Sequence, residues 1–472
     1  MLKFGTGGWR AIIGKDFTYD NIRLVAQALC NLAHETGKAN KSIIIGYDRR
    51  FLSEDTTKWI AEVICANNIN VIMMNRSAPT PLIMHCVKNM GLYFGIEVTA
   101  SHNPSIYNGI KLIVEEGRDA PIDVTEKLEI LIDKLTPSDI KSVDFNNAHS
   151  NGQITILKNP FNNFIDDIIS KLDMEAIKSR GLRILFNPMH GSGTYPLTVI
   201  LYTARCTIDL YNYNKDAFFG GSVPAPTRES LNDFSNIVVN GKYDLGIAVD
   251  GDGDRLGIID SDGKYIDANE VLVLLYYYLH EIKGWSGPVV RNLATTHMLD
   301  KIAADFGEQC YEVPIGFKYI SSKIDETDAV LGGESSGGLT VRGHIFGKDS
   351  IYAASLFVEM ISVLQKSPSE ILKELHAKYG QYFLIEANIE FLPEQKQAIE
   401  KIIMIEKRIP IFDDDAKVVK VGYEDGCKIY FDDNSFIICR FSGTEPLLRI
   451  FSEATNTEIA SKRIDNFRNF IL

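Results

Sequence analysis

Three aspartates alternate with glycines at Asp250, Asp252 and Asp254, immediately after an apolar stretch of the sequence. Carboxylates at every second position of an extended loop point to one side, and the intervening glycines let the backbone fold tightly around a hard cation. An EF-hand would need glycine at its sixth position and glutamate at its twelfth, where this chain has Arg255 and a serine. The spacing therefore predicts a metal site, and its three carboxylates favour Mg²⁺ with room for another oxygen ligand.

Ser101 is a candidate nucleophile in the run T-A-S-H-N-P, which follows a strand-like segment at residues 96–98. A serine hydroxyl is a weak nucleophile unless a base or a positive field assists it, and His102 and Lys111 lie close in sequence. The same residue types also form ordinary turns, in which serine and asparagine bond the backbone and proline fixes φ. By itself the run leaves both interpretations open.

Two further loops combine glycines with hydroxyl and charged side chains. The run G-G-E-S-S-G-G carries Glu334 and Ser336, which suit hydrogen bonding to sugar hydroxyls, although a glycine-rich linker has the same composition. The run R-F-S-G-T-E-P could form an anion cradle or a simple hairpin turn. The candidate cradle residues are Arg440, Ser442, Gly443 and Thr444, with Arg449 just beyond them. Arg10 and Lys318 could add positive charge toward a phosphorylated ligand.

The elements that must position these loops have the pattern of layered α/β structure. Short β-branched runs recur, each followed by polar or glycine-rich residues and then by a stretch with helical periodicity. After residue 380, closely spaced strands flanked by helices indicate a smaller α+β domain. We predict four domains, at residues 1–150, 151–257, 258–378 and 379–472. In α/β sheets, ligands bind beyond the carboxyl ends of strands, where these loops fall.

Composition narrows the possible function classes. The 62 acidic residues exceed the 49 basic ones, and the resulting formal charge of -13 argues against general nucleic-acid binding. The longest apolar run, residues 271–279, is far shorter than the roughly 20 residues of a membrane helix, and the N-terminus lacks the apolar core of a signal peptide. Seven cysteines without a C-x-x-C pair fit neither a disulfide framework nor a zinc site. These features predict a cytoplasmic protein without a membrane partner, and they leave its oligomeric state open.

Four of the runs occur in a fixed order, at one per predicted domain: T-A-S-H-N-P, D-G-D-G-D-R, G-E-S-S-G and R-F-S-G-T-E-P. In this order they resemble the four active-site loops of the α-D-phosphohexomutase superfamily, and the similarity spans essentially the whole chain. The resemblance implies three related α/β mixed-sheet domains and a smaller C-terminal α+β domain around a central cleft. It also implies a phosphoglucomutase- or phosphomannomutase-like enzyme that interconverts hexose 1-phosphates and hexose 6-phosphates.

The resemblance gives each run an implied role. Ser101 would carry the phosphoryl group, and its phosphate would complete a Mg²⁺ shell with the three aspartates. The phosphoryl group would pass to the free hydroxyl of the hexose phosphate, giving a hexose 1,6-bisphosphate that turns around and returns its other phosphate. Lys111 matches the family position proposed to move the hydroxyl proton, with His102 nearby. The other implied contacts are Arg10 and Arg255 on the phosphate side, Lys318 on the ligand, Glu334 and Ser336 on the sugar, and Arg440, Ser442, Gly443, Thr444 and Arg449 on the distal phosphate.

One departure from the family pattern bears on specificity. Gly338 stands where several relatives have histidine, and the role of His344, six residues later, stays open. The threonine that begins T-A-S-H-N-P resembles the hexose enzymes more than the glucosamine branch. The G-E-S-S-G-G loop favours glucose, with mannose and glucosamine phosphates as alternatives.

Two interpretations lie outside a mutase. An aspartyl-phosphate phosphatase would place threonine or valine at the position of Asp254. A catalytically silent sugar-phosphate-binding paralogue would be expected to lack Ser101 or a metal carboxylate, and none is missing.

Overall fold

The first sheet carries Ser101 just beyond the end of one of its inner strands. The computed structural model describes residues 2–5, 7–442 and 447–471. The strands of this sheet are β1 (Trp9–Ile12), β2 (Ile43–Tyr47), β3 (Val71–Met74), β4 (Phe94–Val98), β5 (Tyr107–Val114), β6 (Arg118–Asp119) and β7 (Ile154–Leu157). They follow the order β1-β5-β4-β2-β3-β7, with β6 beside β5. Because β2, β3, β4 and β7 are parallel and β1, β5 and β6 are antiparallel to their partners, the sheet is mixed.

Helices pack against this sheet through their apolar faces. They are α1 (Tyr19–Glu35), α2 (Ser53–Ala66), α3 (Thr80–Asn89), α4 (Ile122–Asp133) and α5 (Phe145–Ser150). The first of them begins where Thr18 Oγ1 accepts a hydrogen bond from the backbone N–H of Asn21, which satisfies one of the free donors of the first turn. The strand β7 pairs with β3 although it starts after residue 150, and the four domain boundaries remain predictions.

The second and third sheets follow along the chain. The second contains β8 (Arg183–Asn187), β9 (Thr207–Leu210), β10 (Leu245–Val249), β11 (Leu256–Asp260) and β12 (Tyr265–Ile266), in the order β12-β11-β10-β8-β9. The third contains β13 (Val289–Asn292), β14 (Cys310–Val313), β15 (Leu331–Gly333) and β16 (Leu339–Val341), in the order β14-β13-β15-β16. Both sheets are mixed, since a parallel set ends in an antiparallel strand.

The helices of this region are α6 (Pro160–Ser170), α7 (Met174–Arg180), α8 (Thr194–Thr203), α9 (Asn232–Gly241), α10 (Ala268–Tyr277), α11 (Met298–Asp305), α12 (Phe317–Thr327), α13 (Ser350–Leu364) and α14 (Pro368–Tyr379). Four of them, α7, α10, α13 and α14, start at a residue whose side chain accepts from a backbone N–H of the first turn. A π-helical turn at Tyr278–Ile282 extends α10. Asp267 and Glu270 form a capping box on α10, and Asp349 caps α13 by accepting from two backbone N–H groups.

The first three sheets share one local arrangement. In each, a strand of the parallel set is followed by an antiparallel partner, as in β4–β5, β10–β11 and β15–β16. The three connecting loops contain Ser101, the three aspartates and Glu334, respectively. The same loop position therefore carries predicted site residues in all three sheets.

The fourth sheet is antiparallel throughout and stands apart in topology. Its strands are β17 (Phe383–Glu390), β18 (Val418–Gly422), β19 (Cys427–Phe431), β20 (Phe436–Phe441) and β21 (Leu447–Ala454), in the order β17-β21-β20-β19-β18. The helices here are α15 (Lys396–Glu400), extended by a π-helical turn at Lys401–Ile405, and α16 (Thr457–Ile471). This arrangement confirms three α/β mixed-sheet domains followed by a smaller α+β domain.

A continuous apolar core joins the first three sheets. It extends from Ile44 in β2 to Tyr379 at the end of α14 and includes most of α13, of whose 15 residues 13 are buried. The fourth sheet has its own core and shares a small apolar cluster with the third, formed by Leu293, Ala294, Phe436 and Ile438. In the part of the chain that the structure describes, no helix has the length and apolar character needed to cross a membrane.

Candidate active site

Ser101 is held in a strained conformation that points its hydroxyl at the aspartate loop. Its φ of 51° lies in the left-handed region, which a residue with a side chain adopts only when its surroundings stabilise it. The hydroxyl donates to Asp250 Oδ2 at 3.0 Å and lies 3.3 Å from Nδ1 of His102. The predicted nucleophile, its candidate base and one predicted metal ligand are thus in direct contact.

Arg50 supports the Ser101 loop from the protein interior. Its guanidinium donates to the carbonyl oxygen of Ser101 and to three more carbonyls of the same loop, those of Asn103, Pro104 and Tyr107. Asp48 forms a buried ion pair with Arg50 and accepts from Thr99 Oγ1 at 2.6 Å, and Thr99 Oγ1 in turn accepts from the Ser101 N–H at 2.8 Å. Sequence reasoning missed Asp48 and Arg50. The available signal was a D-x-R spacing directly after β2.

The three aspartates are buried and close together, as predicted. One carboxylate oxygen from each of Asp250, Asp252 and Asp254 can be chosen so that all lie within 4.8 Å of one another. Burial and then repulsion from its two neighbours raise the pKa of Asp250 well above the ordinary range. Burial would also raise the pKa of Asp254, but attraction to Lys111, Lys348 and Arg255 outweighs it and holds that pKa well below the ordinary range.

Two carboxylate oxygens of the aspartate loop are without a hydrogen-bond partner among the described residues and are suited to bind a cation. Oδ1 of Asp252 and Oδ1 of Asp254 are buried and have no hydrogen-bond partner among the described residues. Buried polar atoms left without a partner are costly, so each such atom requires an explanation. A set of carboxylate oxygens is the donor type that Mg²⁺ prefers, and the residues present therefore fit this ion.

Lys111 neutralises part of the aspartate group. Its Nζ lies 2.6 Å from Oδ2 of Asp252 and 2.6 Å from Oδ2 of Asp254. Burial lowers the pKa of Lys111, but attraction to these two carboxylates outweighs burial and raises the pKa above its ordinary value. The ammonium group is therefore charged and bound to the aspartates, while the implied role of Lys111 in moving a proton remains a prediction.

Two arginines create a positive field beside Ser101. Burial, followed by repulsion from Arg255 and Arg10, lowers the pKa of His102 to about 2, so its imidazole is neutral near pH 7. Arg10 also donates to Asn103 Oδ1 at 2.6 Å, which fixes it at the Ser101 loop. The Nε of Arg255 is buried without a hydrogen-bond partner within the described ranges, as expected of a donor that awaits an anion.

The Glu334 loop packs directly against the end of the aspartate loop. The backbone N–H of Leu256, at the start of β11, donates to the carbonyl oxygen of Gly337 at 3.1 Å. The Glu334 carboxylate accepts from Asn292 Nδ2 at 3.1 Å and from Ser336 Oγ at 3.3 Å. The structure therefore brings Glu334 and Ser336 together at the boundary between the second and third sheets.

Lys348 is a third residue that sequence reasoning missed. Its Nζ lies 3.3 Å from Asp254 Oδ2, and its aliphatic stem crosses Gly338. A Cβ at position 338 would lie 2.2 Å from Lys348 Cδ, so a side chain there would displace the lysine. Glycine at position 338 thus makes room for this ammonium group.

His344 lies in a different cluster of charged groups. Its Nε2 lies 2.6 Å from Oδ2 of Asp349, the residue that caps α13, and its Nδ1 lies 3.1 Å from the Nζ of Lys171. The ring also packs against Tyr352. These contacts link the second and third regions of the chain. They also fix Asp349, the residue that follows Lys348 in the sequence.

The distal-phosphate candidates lie on the fourth sheet. Arg440 on β20 and Arg449 on β21 are direct cross-strand partners, so their like charges repel each other, and Asp425 offsets part of the charge of Arg440. Ser442 is buried, and its backbone N–H donates to Leu447 O at 2.9 Å. Gly443 and Thr444 lie outside the described residues.

Lys318, the candidate ligand contact of the third region, lies in the first turn of α12. Burial lowers its pKa, and attraction to Asp119 partly restores it.

Comparison with known families decides the assignment. Four models described as phosphoglucomutase/phosphomannomutase domains match in chain order: α/β/α domain I at residues 1–139, domain II at 162–263, domain III at 267–379 and the C-terminal domain at 396–469. The chain belongs to the α-D-phosphohexomutase superfamily. It is accordingly an isomerase that acts as an intramolecular phosphotransferase, with an aspartate triad able to bind metal.

Similar proteins carry names with different sugars. The phosphoglucomutase/phosphomannomutase of Thermococcus kodakarensis is 29% identical over 98% of this chain and 96% of its own length. The phosphoglucosamine/phosphogalactosamine mutase of Sulfurisphaera tokodaii is 27% identical over 99% of this chain and 98% of its own. A crystal structure of a phosphoglucomutase/phosphomannomutase family protein from Burkholderia thailandensis shares the fold, with a TM-score of 0.82, 21% identity, and coverage of 98% and 96%. The comparisons give the reaction class and leave the hexose open.

Proposed function

We propose that this phosphohexomutase interconverts hexose 1-phosphate and hexose 6-phosphate with glucose as its principal hexose, and that Ser101 carries the phosphoryl group. The observation that carries the proposal is the 3.0 Å contact between the Ser101 hydroxyl and Asp250, inside a buried aspartate group. A hydroxyl placed there, beside Arg10 and Arg255, is surrounded by the charges that a phosphoryl group requires. A turn serine would not need this environment.

Each group at the centre has a distinct task in this mechanism. Asp250, Asp252 and Asp254 would hold Mg²⁺, which when bound neutralises negative charge on the phosphoryl oxygens. The Arg50 contacts and the strained backbone fix Ser101 Oγ, so that little reorganisation is needed during transfer.

The transfer itself exchanges one P–O bond for another. In the phosphorylated enzyme the bond between phosphorus and Ser101 Oγ breaks as a bond to the sugar hydroxyl oxygen forms. The proton of that hydroxyl must leave, and Lys111 would help to move it, with His102 nearby. The resulting hexose 1,6-bisphosphate turns around and returns its other phosphate to the serine, so this compound also loads the enzyme.

The remaining site residues bind the parts of the substrate that do not react. The Glu334 carboxylate accepts hydrogen bonds, and together with the Ser336 hydroxyl it suits the sugar hydroxyls. Lys318 would contact the bound sugar phosphate beside them. Arg440 and Arg449 would hold the distal phosphate, whose charge removes their mutual repulsion. Ser442, Gly443 and Thr444 would add hydroxyl and backbone donors to the same phosphate.

The choice of glucose rests on the G-E-S-S-G-G loop, and the threonine of T-A-S-H-N-P favours the hexose enzymes over the glucosamine branch. Mannose and glucosamine phosphates are the alternatives, and the names of the relatives include all three sugar types. A silent sugar-phosphate-binding paralogue has less support, because Ser101 and all three aspartates are present and in contact.

A coupled assay of glucose, mannose and glucosamine 1-phosphates at saturating Mg²⁺ tests this function. We expect the highest kcat/KM with glucose 1-phosphate. A dominant kcat/KM with mannose or glucosamine 1-phosphate would overturn the proposed hexose and leave the mutase reaction standing. No turnover of any of the three by folded, phosphorylated enzyme would overturn the reaction.

A further inference from the structure

Asp425 connects two regions of the chain through a single carboxylate. It lies in the turn between β18 and β19 of the C-terminal domain. Its Oδ1 accepts a hydrogen bond from Arg440 Nε at 2.8 Å, and its Oδ2 accepts from the backbone N–H of Ile315 at 3.1 Å. Ile315 lies in the loop that joins β14 to α12, three residues before Lys318. One carboxylate therefore bonds a candidate phosphate-binding arginine and a candidate substrate loop.

The backbone places this carboxylate firmly. Gly426, the next residue, has a φ of +92°, and a Cβ there would lie 2.4 Å from the carbonyl oxygen of Cys439. The same Cβ would lie 3.1 Å from the Cα of Arg440. Only glycine allows so close an approach, so the turn that carries Asp425 is pressed against the strand that carries Arg440.

A second set of contacts holds the same loop from its other side. Glu312, in β14, accepts from Lys428 Nζ at 2.5 Å and from the hydroxyl of Tyr430, both in β19. Lys428 is buried and also donates to the carbonyl oxygen of Leu293 at 2.7 Å. The strand β19 and the turn before it are thus hydrogen-bonded to the third region at two points, Glu312 and Ile315. Asp425 is the member of this junction that also reaches Arg440.

We infer that Asp425 is a positioning residue, which orients Arg440 for the distal phosphate only while the C-terminal domain is seated on the 314–318 loop. The inference rests on the proposed function, in which Arg440 binds that phosphate. A carboxylate on Nε fixes the plane of a guanidinium, and a planar guanidinium recognises phosphate by direction as well as by charge. Because Ile315 shares the carboxylate, seating of the domain and alignment of Arg440 occur together.

The distal phosphate is bound both before and during the chemical step. Losing a contact to this phosphate therefore affects substrate binding more than turnover. In Asp425→Asn we expect KM for glucose 1-phosphate to rise about tenfold, the scale of one charge-assisted hydrogen bond, with kcat within about twofold of wild type. Glu424→Gln is the matched control, since this carboxylate is adjacent and exposed, and its KM should stay at the wild-type value. Thermal unfolding of both variants checks that the domain is folded.

A double-mutant cycle with Arg440→Ala separates positioning from a general structural effect. If Asp425 acts through Arg440, Asp425→Asn should raise KM by less than about twofold when Arg440 is already alanine. An equal rise in both backgrounds would overturn the inference and leave the phosphate role of Arg440 intact. A wild-type KM for Asp425→Asn, together with a raised KM for Arg440→Ala, would also overturn the inference. A wild-type KM for Arg440→Ala would overturn the phosphate role and the inference together.

Discussion

Asp48 and Arg50 form a buried ion pair, with Nε 3.1 Å from Oδ2, and hydrogen bonds from both side chains lead into the Ser101 loop. Neither residue belongs to one of the four loops with a recognisable sequence. They nevertheless determine where the nucleophilic oxygen lies, because Arg50 binds the Ser101 carbonyl and Asp48 orients the threonine that accepts from its N–H. The geometry of the nucleophile is therefore set from outside its own motif.

Arg50→Lys tests this support. Lysine keeps the charge beside Asp48 but cannot reach the four carbonyls that the guanidinium binds. We expect kcat to fall about 100-fold, because small misplacement of a reacting atom is costly, with a smaller change in KM. Steady-state kinetics measure both. Arg49→Lys is the control, since Arg49 binds the carbonyls of His190 and Tyr213 instead, and equal losses in the two variants would contradict the assigned role.

Asp252→Asn tests the metal assignment. The substitution keeps the size of the side chain and removes one of the three charges, so Mg²⁺ affinity measured by calorimetry should fall more than tenfold. Chelation of the wild-type enzyme should abolish turnover, and added Mg²⁺ should restore it. The exposed Asp262→Asn, on the hairpin that follows, should bind Mg²⁺ as the wild type does. Unchanged affinity in Asp252→Asn would exclude this aspartate as a ligand.

Gly338→Ala tests the space that Lys348 occupies. The new Cβ would lie 2.2 Å from the lysine stem, so the stem has to shift, and we expect the ammonium group to move away from Asp254. We expect kcat to fall about tenfold through lost charge at the site, with little change in the unfolding temperature. Gly422→Ala serves as the control because its Cβ would meet nothing closer than 3.6 Å. Wild-type kcat in Gly338→Ala would show that Lys348 does not contribute.

Glu453→Gln tests a buried carboxyl at the junction with the C-terminal domain. Burial raises the pKa of Glu453 from 4.5 to about 7, and its Oε1 accepts from the backbone N–H of His297. Between these two values the unfolded chain releases the proton while the folded chain keeps it, so folding loses stability as the pH rises. The wild type should therefore lose about 3 kcal/mol relative to the variant across this window.

Denaturant unfolding at pH values from 4.5 to 8 measures that difference. The exposed Glu390→Gln should show no such pH-dependent difference from the wild type. Parallel stability curves for the wild type and Glu453→Gln would refute the raised pKa.

Sequence alone predicted the fold class and the grouping of the three aspartates, because their signals are local. Asp250, Asp252 and Asp254 lie within five residues, and a turn of this kind brings its carboxylates together whatever the rest of the chain does. Ser101 was predictable only in combination, since its contact with Asp250 joins positions 149 residues apart. The fixed order of the four loops supplied the information that a single loop lacks.

The supporting residues could not be found in the same way. Lys348 and Asp425 reach the site from segments without a distinctive local pattern, and the local signal of Arg50 is only its D-x-R spacing with Asp48. Their roles follow from contacts between distant segments, such as the 3.3 Å pair of Lys348 with Asp254. The position of His344 follows from its contact with Asp349, another pairing that depends on the folded chain.

The most direct test of the central claim is intact-mass analysis after incubation with glucose 1,6-bisphosphate and Mg²⁺. The wild-type enzyme should gain one phosphate, and Ser101→Ala, folded to the same extent, should gain none. A folded wild-type enzyme that acquires no phosphate, or a Ser101→Ala variant that acquires one, would contradict phosphoryl transfer through Ser101.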